Sequence, residues 1–314
     1  MRFALFVGLL GCIAVVMVLR NGSEAVRTRT TRVEIRRGEA GEAAPVHTNL
    51  TPETRAELTH ELQISQIEKN GELGVYIQPL EGGPAYQYGP LQSGQTWSVI
   101  KVPLVLAYLR WRAEVTGKRD GSKALTPYAR TEVQQTIRQS DNRAARHLYN
   151  QMSARYGLTG ADARIERVFQ DAGETGIRIP KTGLHAFGAT VWRLSDAVKL
   201  FRALNDGELA SHRDTAYLLK LMRTVSYQDS WGLKQAYGPD SRVAFKGGWG
   251  PSRAQYDLEQ AGIVGGPNAG YVIAIMFHTN GRSPIRDAFA AGRSMFNAVA
   301  AIIAEQFPAG ASRG

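Results

Sequence analysis

Apolar residues return along this chain in several distinct rhythms, and each rhythm predicts an element. Phe3 to Leu19, "FALFVGLLGCIAVVMVL", is an unbroken run of seventeen uncharged residues. From Thr51 the leucines recur at helical spacing in "TPETRAELTHELQISQIEKNG", opening on a Thr cap followed by Pro52. A first helix is therefore predicted from there to near Gly71. "LGVYIQPL" and "AYQYG" read as two strands turning around "EGGP". "TWSVIKVPLVLAYLRW", residues 96–111, is hydrophobic on nearly all sides as far as Leu109, which predicts a central, buried helix. Residues 113–223 carry mostly helical patterns broken by Gly and Pro. Three strand-like runs follow: "SRVAFKGGW", "YDLEQAGIVGG" and "GYVIAIMFH", the last almost continuously apolar, as an inner strand is. The segment "SPIRDAFAAGRSMFNAVAAIIAEQF" predicts a last helix that starts on Ser283 and Pro284 and keeps an apolar stripe to Phe307.

Helix, strands, many helices, strands, helix is the order of an α+β protein whose mixed layer is made from both chain ends. The expected division is an α/β lobe of residues 51–112 and 224–314, with an all-helical lobe, 113–223, inserted between the halves. No internal repeat interrupts this order. Residues 26–50 are rich in Arg, Glu, Gly and Thr with few large apolar side chains, and read as a disordered linker.

Residues 1–25 read as a signal peptide or membrane anchor. The apolar run is slightly long for a secretory core and at the short limit for a membrane span. Three fates fit it: an uncleaved anchor, cleavage after "GSEA" at Ala25, or lipidation at Cys12 within "LLGC". The arginines that follow oppose the positive-inside bias, yet export to the outer face of a membrane, or beyond it, remains the expected location. Contact with the membrane is expected only through this segment, if it is retained.

The formal charge of +10 changes the picture less than it first suggests. Seven Arg and four Glu lie within residues 1–50, and the remainder holds 31 bases against 24 acids without a basic block interleaved with aromatics. Nucleic-acid partners are therefore not expected, and anionic wall polymer or lipid head groups suit the charge better. Cys12 is the only cysteine, so residues 26–314 have no disulfide, thiol nucleophile or thiolate metal site. Six histidines show no metal-ligand spacing, and neither metal nor cofactor is expected. The chain is expected to act as a monomer on a small-molecule or peptidoglycan-derived substrate.

The chemistry lies in three short patterns. Ser98-Val-Ile-Lys101 is the only S-x-x-K in the chain and heads the buried helix. Ser140-Asp141-Asn142 follows in "IRQSDNRAARHLY", and Lys246-Gly247-Gly248 in "VAFKGGWG" on a predicted strand. An ammonium at the head of an apolar helix is costly unless something requires it. One turn from Ser98, Lys101 lies within reach of the hydroxyl, and burial beside other positive charge favours the neutral amine that takes up a serine proton. Ser98 at a helix start also gains the helix dipole and free N–H groups. Taken separately, each pattern has a plainer reading: a snorkelling lysine, a helix cap at Ser140–Asn142, and a strand bulge at Lys246–Gly248.

Together and in this order, the patterns make the chain resemble the class A β-lactamase and penicillin-binding-protein superfamily over roughly residues 51–310. The resemblance implies a five-stranded antiparallel sheet flanked by helices, plus an all-helical lobe, with the site in the cleft between them. It implies Ser98 as nucleophile, Lys101 as its base, Ser140 as the relay to the departing nitrogen, and Asn142 orienting the substrate amide. Lys246 would hold Ser140 and attract a substrate carboxylate, while Asp141 would be structural. Gly248 would permit close backbone approach, with the N–H groups of Ser98 and Trp249 forming the oxyanion hole. The family usually carries a hydroxyl residue where this chain has Gly247, and Arg253 is the candidate replacement as carboxylate anchor. Trp97, Trp192, Trp231 and Trp249 read as core or cleft-wall residues, Trp249 with a possible stacking role.

One part of the pattern is missing. Class A enzymes place a water-activating glutamate on an Ω-shaped loop in an E-x-x-L-N context. Glu166 is the only lookalike, and the spacing of Ile165, Val168 and Phe169 puts it on a solvated helix face. The segment 173–190 has Glu174 as its only acid, and His185 in it reads as an exposed loop residue. The expected function is an exported serine hydrolase that forms an acyl-enzyme on Ser98 with β-lactams or D-Ala-D-Ala-like peptides. The alternative is a DD-peptidase-like enzyme, or a wall-binding homologue without turnover.

Overall fold

In β1 (Gly71–Pro79) the large side chains Leu73, Val75 and Ile77 alternate onto one face, where they are fully buried. The computed structural model describes residues 51–69, 71–181, 187–226, 230–238, 241–252, 255–266, 269–279 and 285–308. β1 pairs antiparallel with β2 (Tyr86–Tyr88) and with β7 (Ala269–Thr279). β6 (Gln255–Gly266) and β5 (Val243–Ser252) complete a five-stranded sheet in the order β2-β1-β7-β6-β5. All its pairings are antiparallel, so the expected α+β class and sheet are found.

β7 is the middle strand, and its near-continuous apolar run serves both sides of the sheet. Ile273, Ile275 and Phe277 join one core with Leu58 and Leu62 of α1 (Pro52–Lys69) and Phe296, Val299 and Ile303 of α8 (Ile285–Gln306). Val272, Ala274 and Met276 join the other core, with the inner helices. Thr51 caps α1 by accepting from the Thr54 N–H at 3.2 Å. The expected start of α8 at Ser283 and Pro284 lies outside the described residues, as do the segments 1–25 and 26–50. Among the described residues no helix is long and apolar enough to cross a membrane.

The inner layer is built around α2 (Lys101–Thr116), buried without interruption from Lys101 to Leu109. It packs against α4 (Asn142–Asp171) and α3 (Pro127–Arg138), and it ends where Gly117 adopts the left-handed conformation at φ 63°. α4 is broken in the middle by Gly157, at φ 71°. α5 (Leu194–Asn205) lies directly on β1, β6 and β7, so one core runs without a gap from the helices onto the sheet. α6 (His212–Arg223) reaches β5, and the short α7 (Leu233–Tyr237) rests on α8. A small second sheet of β3 (Ser93–Gln95) and β4 (Val191–Arg193) was not expected from the sequence.

Candidate active site

α2 is preceded by one 3₁₀ turn, Trp97–Ile100, which continues into it without leaving helical dihedrals. Ser98 therefore stands in the first turn of a continuous helical run, and Lys101 returns to the same side three residues later. Lys101 Nζ lies 2.9 Å from Ser98 Oγ, and the lysine is only 1% exposed. Two fixed oxygens flank the same nitrogen: Ser140 O at 2.5 Å and Asn142 Oδ1 at 2.6 Å. The turn is tied down by Thr96, fully buried, whose N–H donates to Thr190 O and whose O accepts from the Val99 N–H.

Ser140 sits between α3 and α4 with φ 52°, a left-handed conformation that a side chain opposes. Asp141 is the cap of α4, its Oδ1 accepting from the Ala144 N–H at 2.8 Å. The structural role expected for Asp141 is the one found. Capping also fixes the turn, which aims Ser140 and Asn142 at Lys101.

β5 brings the third pattern. Lys246 is 3% exposed, and its Nζ lies 2.8 Å from both Ser140 Oγ and Gly247 O. Ser140 Oγ is also 3.1 Å from Lys101 Nζ, so one hydroxyl links the two buried lysines. A Cβ on Gly248 would fall 2.7 Å from Ser98 N and 2.8 Å from Trp97 Cβ, which shows how closely β5 passes the serine turn. Two residues on, the Trp97 ring occupies the space of a Gly250 Cβ, at 2.1 Å. Trp97 itself is held at φ 41°, so the turn of Ser98 and the α3–α4 junction at Ser140 both carry backbone strain. Gly247 faces the other way: its Cβ would lie 3.1 Å from Trp231 Cζ2, so Trp231 crowds the space in which a longer residue would begin.

These groups open onto a cleft of about 530 Å³, within the usual range for a small-molecule site. Of the residues expected at the site, Ser98, Lys101, Ser140, Asn142 and Trp249 line it, and Lys246 and Gly248 lie in its β5 wall. Arg253 lies outside the described residues. The matching family is described as the beta-lactamase enzyme family, and its model aligns with residues 115–307, well over half of the chain. The chain belongs to the beta-lactamase enzyme family. That match begins after Lys101, so Ser98 and Lys101 are brought to the site by the fold, not by the alignment.

Solved β-lactamases share the fold. A class A beta-lactamase from Mycobacterium abscessus superposes with a TM-score of 0.64 at 19% identity, over 80% of this chain and 100% of that one. The TLA-3 extended-spectrum beta-lactamase gives 0.63 at 16% identity, over 80% and 98%. A mutant of PBP-A, solved as an acyl-enzyme complex with penicillin G, gives 0.57 at 21% identity, over 80% and 97%. No curated protein matched the sequence.

Within this β-lactamase-family frame, one expectation is corrected. Glu166 is not on a solvated face: its Oε1 accepts from the Ile179 N–H at 2.9 Å, and Arg178 Nε stands 3.9 Å from its other oxygen. The partner is a backbone group thirteen residues away, which helical periodicity cannot reveal. Glu174 is engaged by Lys199 Nζ at 2.5 Å. Both carboxylates are thus held outside the cleft lining. His185 lies outside the described residues.

Two further features were not anticipated, and a third gives detail to the cleft-wall position expected of Trp249. Gln95, Gln139 and Arg146 line the cleft, the last at helical spacing from Asn142, a signal the sequence did contain. Trp249 is 45% exposed at the rim, with its ring stacked 5.7 Å from Tyr256 and tilted against Phe289 at 4.6 Å. Glu259, opposite Gly248 in the β5–β6 register, is buried beneath the site and accepts from Trp192 Nε1 at 3.0 Å. Burial pushes its carboxyl well above the usual range, against the pull of that hydrogen bond and of Lys246.

Proposed function

We propose that the chain is an exported serine hydrolase that forms an ester on Ser98 with β-lactams or with D-Ala-D-Ala-like peptides. The observation that carries this reading is the unbroken path Ser98 Oγ, Lys101 Nζ, Ser140 Oγ, Lys246 Nζ, with steps of 2.9, 3.1 and 2.8 Å. Two carbonyl-type oxygens, Ser140 O and Asn142 Oδ1, take two N–H bonds of Lys101. As a neutral amine it keeps its lone pair for the Ser98 proton.

Ser98 Oγ attacks the carbonyl carbon of the substrate amide while its proton passes to Lys101. The oxyanion that forms takes hydrogen bonds from the N–H groups of Ser98 and Trp249, a placement supported by the close passage of β5 at Gly248. When the C–N bond breaks, Ser140 gives its proton to the departing nitrogen and regains one from the Lys101 ammonium. Lys246 keeps Ser140 in line and favours a substrate carboxylate on the leaving side. Atoms and charge balance, and the product is an acyl ester on Ser98.

Hydrolysis of that ester requires a base beside the attacking water. Because Glu166 and Glu174 are engaged elsewhere, the reading favours slow deacylation, closer to a penicillin-binding or DD-peptidase-like enzyme than to a rapid β-lactamase. The penicillin G ester seen in the PBP-A mutant is the kind of species expected here. Export agrees with the apolar run Phe3–Leu19.

Intact-protein mass spectrometry with penicillin G, followed over time, tests both parts. The expected result is a stoichiometric adduct on Ser98 that persists for many minutes and is absent from S98A. An adduct retained by S98A would overturn the nucleophile, and loss within seconds would overturn slow deacylation.

A further inference from the structure

The acylation chemistry uses Trp249 only through its backbone, and its indole has no part in it. Of the large apolar side chains that stay exposed among the described residues, Trp249 alone lines the cleft. A single exposed ring is ordinary on a protein surface, but this one is braced by a second layer of rings. Tyr256, itself only 2% exposed, stacks on it with 28° between the planes, and Phe289 meets it at a tilt. Phe289 is pinned in turn, edge-on by Trp231 at 6.4 Å and by the Arg293 guanidinium 5.7 Å from its centre. An indole held in this way offers a large apolar surface and loses little conformational freedom when a ligand lies against it.

β5 gives the indole its place along the substrate. Lys246 contacts Ser140, on the side where the nitrogen departs. Two residues on, Gly248 passes the serine turn, where its Cβ would fall 2.7 Å from Ser98 N. Trp249 follows, about 10 Å beyond Lys246 at the rise of an extended strand, and Gly250 and Pro251 continue the cleft wall with it. The strand therefore passes the leaving group first, then the reacting carbonyl, then the acyl portion. That last end is the aromatic one, since the Trp97 ring fills the space beside Gly250 and lines the cleft as well. We infer that Trp249 stacks on a flat apolar ring carried by the acyl portion of the substrate, so that the cleft favours acyl donors with an aromatic substituent near the scissile carbonyl. This rests on acylation at Ser98 as proposed above, and it names the class of acyl group received.

Benzylpenicillin and its acetamido analogue differ by one phenyl ring on the acyl side chain, so the ratio of their acylation rate constants isolates the contact. The wild-type ratio should favour benzylpenicillin, and it should fall by about 5- to 20-fold in W249L, the loss expected for one aromatic contact and the area it covers. W249F, which keeps a smaller face, should retain part of the preference. Both variants keep the backbone N–H, whose hydrogen bond to the oxyanion is common to the two penicillins and cancels in the ratio. A purely structural role for Trp249, as packing for Tyr256 and Phe289, would lower both rates together, leave the ratio unchanged, and overturn the assignment. Calorimetric binding to S98A provides a measurement free of covalent chemistry: benzylpenicillin should bind more tightly, and S98A/W249L should lose that preference. If the wild-type enzyme is not acylated but S98A keeps the Trp249-dependent preference, the nucleophile is wrong and the ring site stands. If acylation proceeds with a ratio indifferent to W249L, the ring site alone falls. Equal binding of both penicillins to S98A, or none, also overturns it.

Discussion

Ser140 Oγ and Lys246 Nζ, 106 residues apart in the chain, stand 2.8 Å apart in the fold. The contact joins a helix junction to an edge strand, and it places a second buried lysine one hydroxyl away from Lys101. Removing the cation leaves the Ser140 hydroxyl without its strongest orienting partner and removes attraction for a leaving-side carboxylate. Lys246→Ala should therefore lower the acylation rate constant for penicillin G by about 10²–10³-fold, the usual cost of losing such an electrostatic partner. Lys246→Arg should recover part of it. Stopped-flow quenching of tryptophan fluorescence would measure both, and an alanine variant within threefold of wild type would remove Lys246 from the mechanism.

Ser140 makes its contacts from a left-handed backbone, and two substitutions separate its chemistry from its strain. Gly and Ala both delete the hydroxyl, so both should lose about 10²–10⁴-fold in acylation. They differ in conformational cost: Ala keeps the opposition to φ 52°, while Gly does not. Ser140→Gly should therefore be more stable than Ser140→Ala by about 1–2 kcal/mol in urea denaturation. Equal midpoints would mean that the turn relaxes, and that the strain is not stored there.

Gly248 sets the distance between β5 and the serine turn. An added Cβ would lie 2.7 Å from Ser98 N, 2.8 Å from Trp97 Cβ and 3.1 Å from Thr96 O, and two of these three atoms are backbone. No flexible side-chain end is available to move, so the strand itself must retreat. Gly248→Ala should keep the fold, shift the oxyanion N–H groups apart, and reduce acylation by at least about tenfold, since misplacements of an ångström cost up to about 100-fold. The same change at Gly82, where nothing lies within 4 Å but φ is +94°, should lower stability without touching the acylation rate. Parallel rate and stability losses at both positions would contradict this division.

Much of the site was legible because its logic is local or chemical. Lys101 announces itself as a charge at the head of an all-apolar helix, and its distance of three residues from Ser98 is a helical turn. Asp141 is the kind of residue that caps a helix, and the alternation of β1 and the two-sided apolarity of β7 place both in one sheet. What escaped depends on partners far away in sequence or on backbone groups. Glu166 bonds to the Ile179 N–H, which no periodicity encodes. Gly247 is crowded by Trp231, which comes from the segment before α7 and outside the sheet. β3 and β4 are three residues each, too short for alternation to register, although their pairing and the Thr96–Thr190 bond position the serine turn. Arg146 was legible in principle, four residues after Asn142, and was passed over because the motif ends at Asn142.

Glu259 predicts an unusual dependence of stability on pH. Burial holds its folded carboxyl well above the ordinary value of 4.5. The folded chain therefore keeps a proton that the unfolded chain releases once the pH exceeds 4.5, so this group's contribution to stability is lost as pH rises through the interval up to the folded value. A single proton of this kind changes stability by about 1.4 kcal/mol per pH unit within that interval. Glu259→Gln mimics the protonated acid and removes the slope. Wild type and E259Q should melt at similar temperatures near pH 4.5, with the variant gaining roughly 2–4 °C per unit above it until the folded carboxyl ionises. Calorimetric melting from pH 4.5 to 8 would read the difference, in which the titrations of all other groups cancel. Curves that stay parallel across that range would show that Glu259 is ionised in the folded chain, its charge satisfied by Trp192 and Lys246 despite its burial.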